Sequence, residues 1–291
     1  MRRTRTAVVA VALACAVVAL SACEPPPRWT KVKVDGYQPV SHTTVESLQA
    51  DQGPATVHPL SGKPYLVYGG EIIDKSFTDD GWNHVGDPDS LDGFTVYPYQ
   101  AADAADGKMF HVVTPRNRSF RYVHPLDPGE EMNNSFAAIS PDGQWLVAGE
   151  WDTQTRLLIF PMPILNHAYP SGGGALPLAG KLALASPLSQ VQGCDFVTDT
   201  QLVCSVDDAT KRLVRLDLPA ALDGTDTTAT VTTIGKIPTF SSCAPNERGG
   251  YEAEGVDFDV ETQLLRVQVI PPPFCYVHTD QYTYRRLVPP A

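Results

Sequence analysis

Apolar residues in this chain fall in short paired runs, each pair split by a polar turn, and the same phrase recurs four times. In ATVHPLSGKPYLVYGG, Val57 precedes the turn and Tyr65, Leu66 and Val67 follow it. In AAISPDGQWLVAGEW, Ile139 precedes and Trp145, Leu146 and Val147 follow. In CDFVTDTQLVCSV the flanks are Phe196 and Leu202-Val203, and in VDFDVETQLLRVQV they are Phe258 and Leu264-Leu265. Apolar flanks around turns rich in Pro, Asp, Gly and Thr predict β-hairpins. A third apolar run follows the second copy (RLLIFPMP) and the third (RLVRLDLP). One small sheet cannot bury both of its faces, so sheet units repeated at several tens of residues predict an all-β repeat fold of propeller type.

The turns centre near Ser61, Asp142, Asp199 and Glu261. The last two intervals are about sixty residues and the first about eighty. The extra length holds SFTDDGWNHVGDPDSLDG, Ser76 to Gly93, which has no apolar period and reads as an insertion loop. Further strands are expected at Phe94–Tyr99, Lys108–Val113 and Ser119–Val123, with His167 to Gly180 as an inter-blade linker. Four copies plus a terminal unit predict five blades. In that unit Trp29–Val40 and Cys275–Pro289 combine to seal the ring; the count becomes six if the long interval hides another blade.

The string SPDGQWL, Ser140 to Leu146, resembles the strand–turn–strand motif of bacterial TolB-like and YVTN-like β-propellers. EGVDFDVETQLL, from Glu254, is similar to the first inner strands of gluconolactonase-like and esterase-like propellers. These short motifs imply a fold over roughly residues 53–270 and little about activity.

The N-terminus changes the address. Three arginines precede a fourteen-residue apolar run, Ala7 to Leu20, too short for an ordinary membrane span and suited to a secretory signal. Leu20-Ser21-Ala22-Cys23 resembles the lipobox of bacterial lipoproteins, which implies a lipid on Cys23. The organisation expected is therefore a signal over 1–22, a lipidated cysteine and Pro-rich tether over 23–28, and one propeller domain over 29–291. The chain would sit outside the cytoplasm, anchored to the bacterial cell membrane through that lipid. Loss of Arg2, Arg3 and Arg5 takes the formal charge from −11 to −14, which argues against nucleic acid as a partner. Of six cysteines, Cys194, Cys204, Cys243 and Cys275 remain for an oxidising compartment. Cys194 and Cys204 are equidistant from Asp199, so the hairpin predicts a Cys194–Cys204 disulfide and leaves Cys243–Cys275 as the second. The absence of a C-x-x-C motif disfavours zinc.

Familiar catalytic signatures are missing: no G-x-S-x-G, H-E-x-x-H or P-loop occurs. Candidate chemistry is positional. Aligned on the turns, Glu254 corresponds to Gln192, Ser135 and Gly53, which places Gln192, Ser135 and Glu254 at a ligand-binding channel mouth. The gluconolactonase resemblance implies Glu254 as ligand of a divalent metal, with Asn134 as a further oxygen donor. The chain departs from that family in carrying Val256 where it has Pro, and its catalytic Asp has no counterpart here. Hydration of a channel mouth would explain the same polar residues. The acidic group from Glu71 to Asp89 reads as a solvated loop, and His124 as structural. The sequence thus predicts an envelope module that binds an unidentified protein or small molecule, with a metal-dependent hydrolase as the alternative.

Overall fold

All four predicted hairpins are present in the computed structural model, which describes residues 28–103, 107–169, 172–238, 250–271 and 278–287. In chain order β1 (Tyr37–Glu46) precedes the first hairpin, β2 (Gly53–Val57) and β3 (Tyr65–Gly69). A single helical turn, α1 (Lys75–Thr78), leads to β4 (Trp82–Val85), β5 (Asp89–Leu91), β6 (Phe94–Ala101), β7 (Lys108–Val113) and β8 (Ser119–His124). The second hairpin is β9 (Ala137–Ile139) and β10 (Trp145–Ala148), continued by β11 (Thr153–Pro161), β12 (Gly174–Ala175) and β13 (Gly180–Ser189). The third is β14 (Val191–Thr198) and β15 (Gln201–Val206), followed by β16 (Arg212–Asp217) and β17 (Thr227–Lys236). The fourth is β18 (Glu252–Asp259) and β19 (Leu264–Ile270), with β20 (His278–Arg286) last.

Turn chemistry explains the second hairpin. Ser140 Oγ accepts from Trp145 N at 2.9 Å, Gly143 N donates to Ser140 O at 2.7 Å, and Gly143 takes φ +68°. Only a residue at ease with positive φ closes this turn without strain. The strands then assemble as β-propeller sheets. β14–β15–β16–β17 run outward in order, as do β9–β10–β11–β13, and a parallel contact of β13 with β17 joins the two. Innermost strands β2, β5, β9, β14 and β18 neighbour one another in that cyclic order, and β18 returns to β2. Apolar clusters fill the gaps between successive sheets. Val147, Leu157 and Leu182 pack against Phe196, Leu202 and Leu216, for example.

The structure corrects three expectations. Ser76–Gly93 is not an insertion loop: it holds α1, β4 and β5, and β4 and β5 together form the inner edge of a full sheet with β6, β7 and β8. The apolar period is missing because its inward positions carry Asp87 and Asp89, both buried. The chain ends do not make a separate unit. β1 pairs with β20 on the outer edge of the fourth hairpin's own sheet, Tyr37 opposite Arg286 through Glu46 opposite His278. The segment from His167 to Gly180 connects β11 to β13 within one sheet, and on the way it lays β12 parallel to β8 and buries Leu176. The Cys194–Cys204 disulfide is present, with the two residues directly opposite in β14 and β15. Cys23, Cys243 and Cys275 lie outside the described residues.

Candidate functional site

The innermost strands carry a spaced pattern: Gly193-Cys194-Asp195 in β14, Gly255-Val256-Asp257 in β18 and Asp87-Pro88-Asp89 leading into β5. Because strand side chains alternate, positions two apart share the channel face. In the first layer, Gly53, Gly193 and Gly255 surround the Asp87 side chain. A Cβ at Gly53 would fall 1.8 Å from Asp87 Oδ1, and one at Gly193 would fall 2.2 Å from Oδ2. One strand supplies a carboxylate where three others supply no side chain, so Asp87 plugs the channel. Its Oδ2 accepts from Val256 N at 2.9 Å, and its Oδ1 has no partner. Burial pushes its pKa well above the ordinary range.

The next layer holds Asp89, Asp195 and Asp257, and each accepts a backbone N–H from the following inner strand. Asp89 Oδ2 takes Ile139 N at 2.6 Å, Asp195 Oδ2 takes Phe258 N at 2.5 Å, and Asp257 Oδ1 takes Thr56 N at 2.8 Å. The carboxylates therefore stitch β5 to β9, β14 to β18 and β18 to β2. Asp257 also pairs with Arg266 and accepts from Thr56 Oγ1 at 2.7 Å. Burial raises all three pKa values: Asp89 to about 7, Asp195 well above its ordinary value, and Asp257 against the opposing charge of Arg266.

Above this layer opens a cup of about 240 Å³, walled by Thr56, His58, Asp92, Phe196 and the turn Asp259–Glu261. His58 faces Asp259 through Nε2 at 3.0 Å and Glu261 through Nδ1 at 3.2 Å. The cup lies at the hairpin-turn end of the inner strands. The channel mouth expected from the sequence, with Gln192, Ser135 and Glu254, is the opposite end, and Asp87 and Asp89, read there as part of a solvated acidic loop, are buried. The Asp pairs two residues apart at 87/89 and 257/259, with the matching Gly-x-Asp at 193–195 and 255–257, were the signal that could have found them.

At that other end the predicted residues are buried. Glu254 lies among Glu252, Asp207 and Asp51, and its pKa is driven well up by burial first and then by those carboxylates, with Lys211 opposing. Gln192 Nε2 reaches Glu252 Oε1 at 3.4 Å, and Ser135 Oγ reaches Glu150 O at 3.4 Å. Asn134 donates to Tyr99 O and Met109 O, both at 3.3 Å. Among the described residues, one group of His, Cys, Asp or Glu brings three ligand atoms within 4.8 Å of one another: His124, Asp127 and Glu130, without Glu254. There the buried Lys108 Nζ stands 2.9 Å from Glu130, whose carboxylate opposes the lowering of the Lys108 pKa by burial. His124, expected to be structural, bridges Leu176 O at 3.0 Å and Glu130 Oε2 at 2.8 Å.

No family model matches the chain, and no curated protein does. Solved structures are similar in shape at low identity. A GH43_1 enzyme from Xanthomonas citri aligns over 85% of this chain and 89% of its own at 10% identity, with a TM-score of 0.48. A native arabinanase from Bacillus subtilis aligns over 83% and 96% at 10% identity and a TM-score of 0.42. The WD40 repeats of RRP9 align over 76% of this chain at 10% identity and a TM-score of 0.38, and this chain spans 57% of that one.

Proposed function

We propose that this chain is a five-bladed binding module of the bacterial cell envelope, held outside the cytoplasm by a lipid on Cys23, and that its cup takes the cationic group of a ligand. The cycle of five inner strands supports the blade count. The observation that carries the reading is the blind channel: Asp87 in its glycine cradle closes the floor, so the cup holds a group and does not conduct one. Its walls and floor bring Asp89, Asp92, Asp195, Asp257, Asp259 and Glu261 together. Burial favours the neutral acid at Asp89, Asp195 and Asp257, and an ammonium or guanidinium entering the cup would reverse that preference by pairing with them.

Calorimetric titration with spermidine, arginine and a neutral oligosaccharide tests the ligand class. The cations should bind, and Glu261→Gln together with Asp92→Asn should weaken them about tenfold, as expected for two rim carboxylates. Saccharide binding without cation binding would replace this reading. The hydrolase alternative requires a divalent metal at Glu254, so calcium, zinc or manganese would raise the melting temperature of the native chain and lose that effect in Glu254→Gln. The anchor is tested by Cys23→Ser, which should move the protein out of the membrane fraction or block its processing. A mutant that stays membrane-bound and processed would remove the lipid from the proposal.

A further inference from the structure

Among the described residues the sheet formed by β2 and β3 has two strands, whereas every other blade has at least four. Its second strand is a copy of β10, β15 and β19 by sequence. In those strands Leu146, Val147, Leu202, Val203 and Leu265 are fully buried beneath a third strand. In β3 the equivalent Leu66 and Val67 are only half-buried and Tyr65 is 52% exposed. Among the described residues β3 pairs with β2 alone, so its outer edge leaves the N–H and C=O of alternate residues without a strand partner there. Natural sheets blunt such edges with Lys, Pro or bulges inside the strand, and Tyr65-Leu66-Val67-Tyr68-Gly69 contains none of these.

We propose that this edge pairs with the same edge of a second copy of this chain, so that β2–β3 of one protomer and β3–β2 of its partner form one four-stranded sheet. Strand count is the first argument, because two half-sheets make a four-stranded sheet like those built on β9, β14 and β18. Self-complementarity is the second. An antiparallel pair related by a two-fold axis perpendicular to the sheet must be centred on a residue, since opposed side chains share a face. β3 has five residues, and Val67 is the middle one. Centring there places Val67 against its own copy, Leu66 against Tyr68 and Tyr65 over Gly69. These are aliphatic, aliphatic–aromatic and aromatic-over-glycine pairs, all favourable across antiparallel strands. Leu60 and Ile72, 74% and 64% exposed, flank the two ends of the hairpin. A five-residue strand buries little area, so the dimer is weak and its population follows concentration.

The test is a cysteine on the dyad. In membranes carrying the full chain, Val67→Cys should give a disulfide-linked dimer under mild oxidant, because antiparallel partners on the axis approach within disulfide range. Leu60→Cys is more exposed but off the axis, and should cross-link several-fold less. In detergent, sedimentation of the wild-type chain should show a concentration-dependent dimer, and Tyr65→Lys should leave a monomer with an unchanged melting temperature. Equal cross-linking at both cysteines would overturn the proposal, as would a wild-type chain that stays monomeric across the accessible concentrations. A dimer indifferent to Tyr65→Lys would place the interface elsewhere and overturn it too.

Discussion

At the scale of single residues the channel is governed by one substitution of carboxylate for glycine. Asp87 stands where Gly53, Gly193 and Gly255 carry no side chain, and it fills the space that they leave. A Cβ at Gly255 would lie 2.2 Å from Asp87 Oδ1 and 2.6 Å from the Gly53 Cα, and the latter is backbone that cannot rotate away. Gly255→Ala should therefore destabilise the fold by about 1–3 kcal/mol, the usual range of overpacking. Urea unfolding measures it. Asp87→Gly in the same chain would relieve half of the collision, so the double mutant should recover part of the loss. A Gly255→Ala midpoint equal to wild type would show that the cradle is looser than its geometry implies.

At the scale of elements the hairpins cohere through cross-strand pairs, and the third carries a covalent one. Cys194 and Cys204 are buried in the core shared with Phe196, Leu202 and Val214. Replacing both with Ser should cost about 2–3 kcal/mol from the ten-residue loop alone, and Ser hydroxyls in an apolar setting add to that loss. Thermal unfolding with and without reductant checks it, since reduced wild type should match the double mutant more closely than the oxidised protein does. This bridge was legible because a simple turn at Asp199 fixes the register of its flanks. β4 and β5 were not, because alternation of apolar and polar residues marks a strand only when the buried face is apolar, and Asp87 and Asp89 face inward. Nor was β12 within the glycine-rich segment, where two residues pair in parallel with β8 and leave no period to detect. Glu254, Gln192 and Ser135 look like solvent-facing polar residues in sequence, yet all three are buried, and a register shift between Ala253 and Val256 interrupts the pairing beside Glu254.

At the scale of the whole molecule these buried acids set how stability responds to pH. Asp89 has its pKa raised by burial to about 7, and Asp87, Asp195 and Glu254 are raised as well. A raised acid holds its proton more tightly in the folded chain, so its stabilisation is complete below the unfolded value of 3.8 and is lost as pH climbs through about 7. Glu130 acts in the opposite sense. Burial pushes it up, but hydrogen bonds from His124, Lys108 and the Asp127 N–H and the charge of Lys108 outweigh this and hold it at about 2. Its contribution is present above the unfolded value of 4.5 and disappears as pH falls through about 2. The melting temperature should therefore peak at about pH 4–5 and decline toward neutrality, scanned by calorimetry at constant ionic strength. Asp89→Asn should make the neutral limb shallower, with Asp87, Asp195 and Glu254 still contributing, and leave the acid limb in place, whereas Glu130→Gln should weaken the acid limb. Occupation of the cup by a cation would shift the wild-type optimum upward, because it favours the ionised carboxylates that the empty channel disfavours. A wild-type optimum near pH 8, unmoved by Asp89→Asn, would mean that these acids are ionised in the empty protein and that the channel already holds its counter-charge.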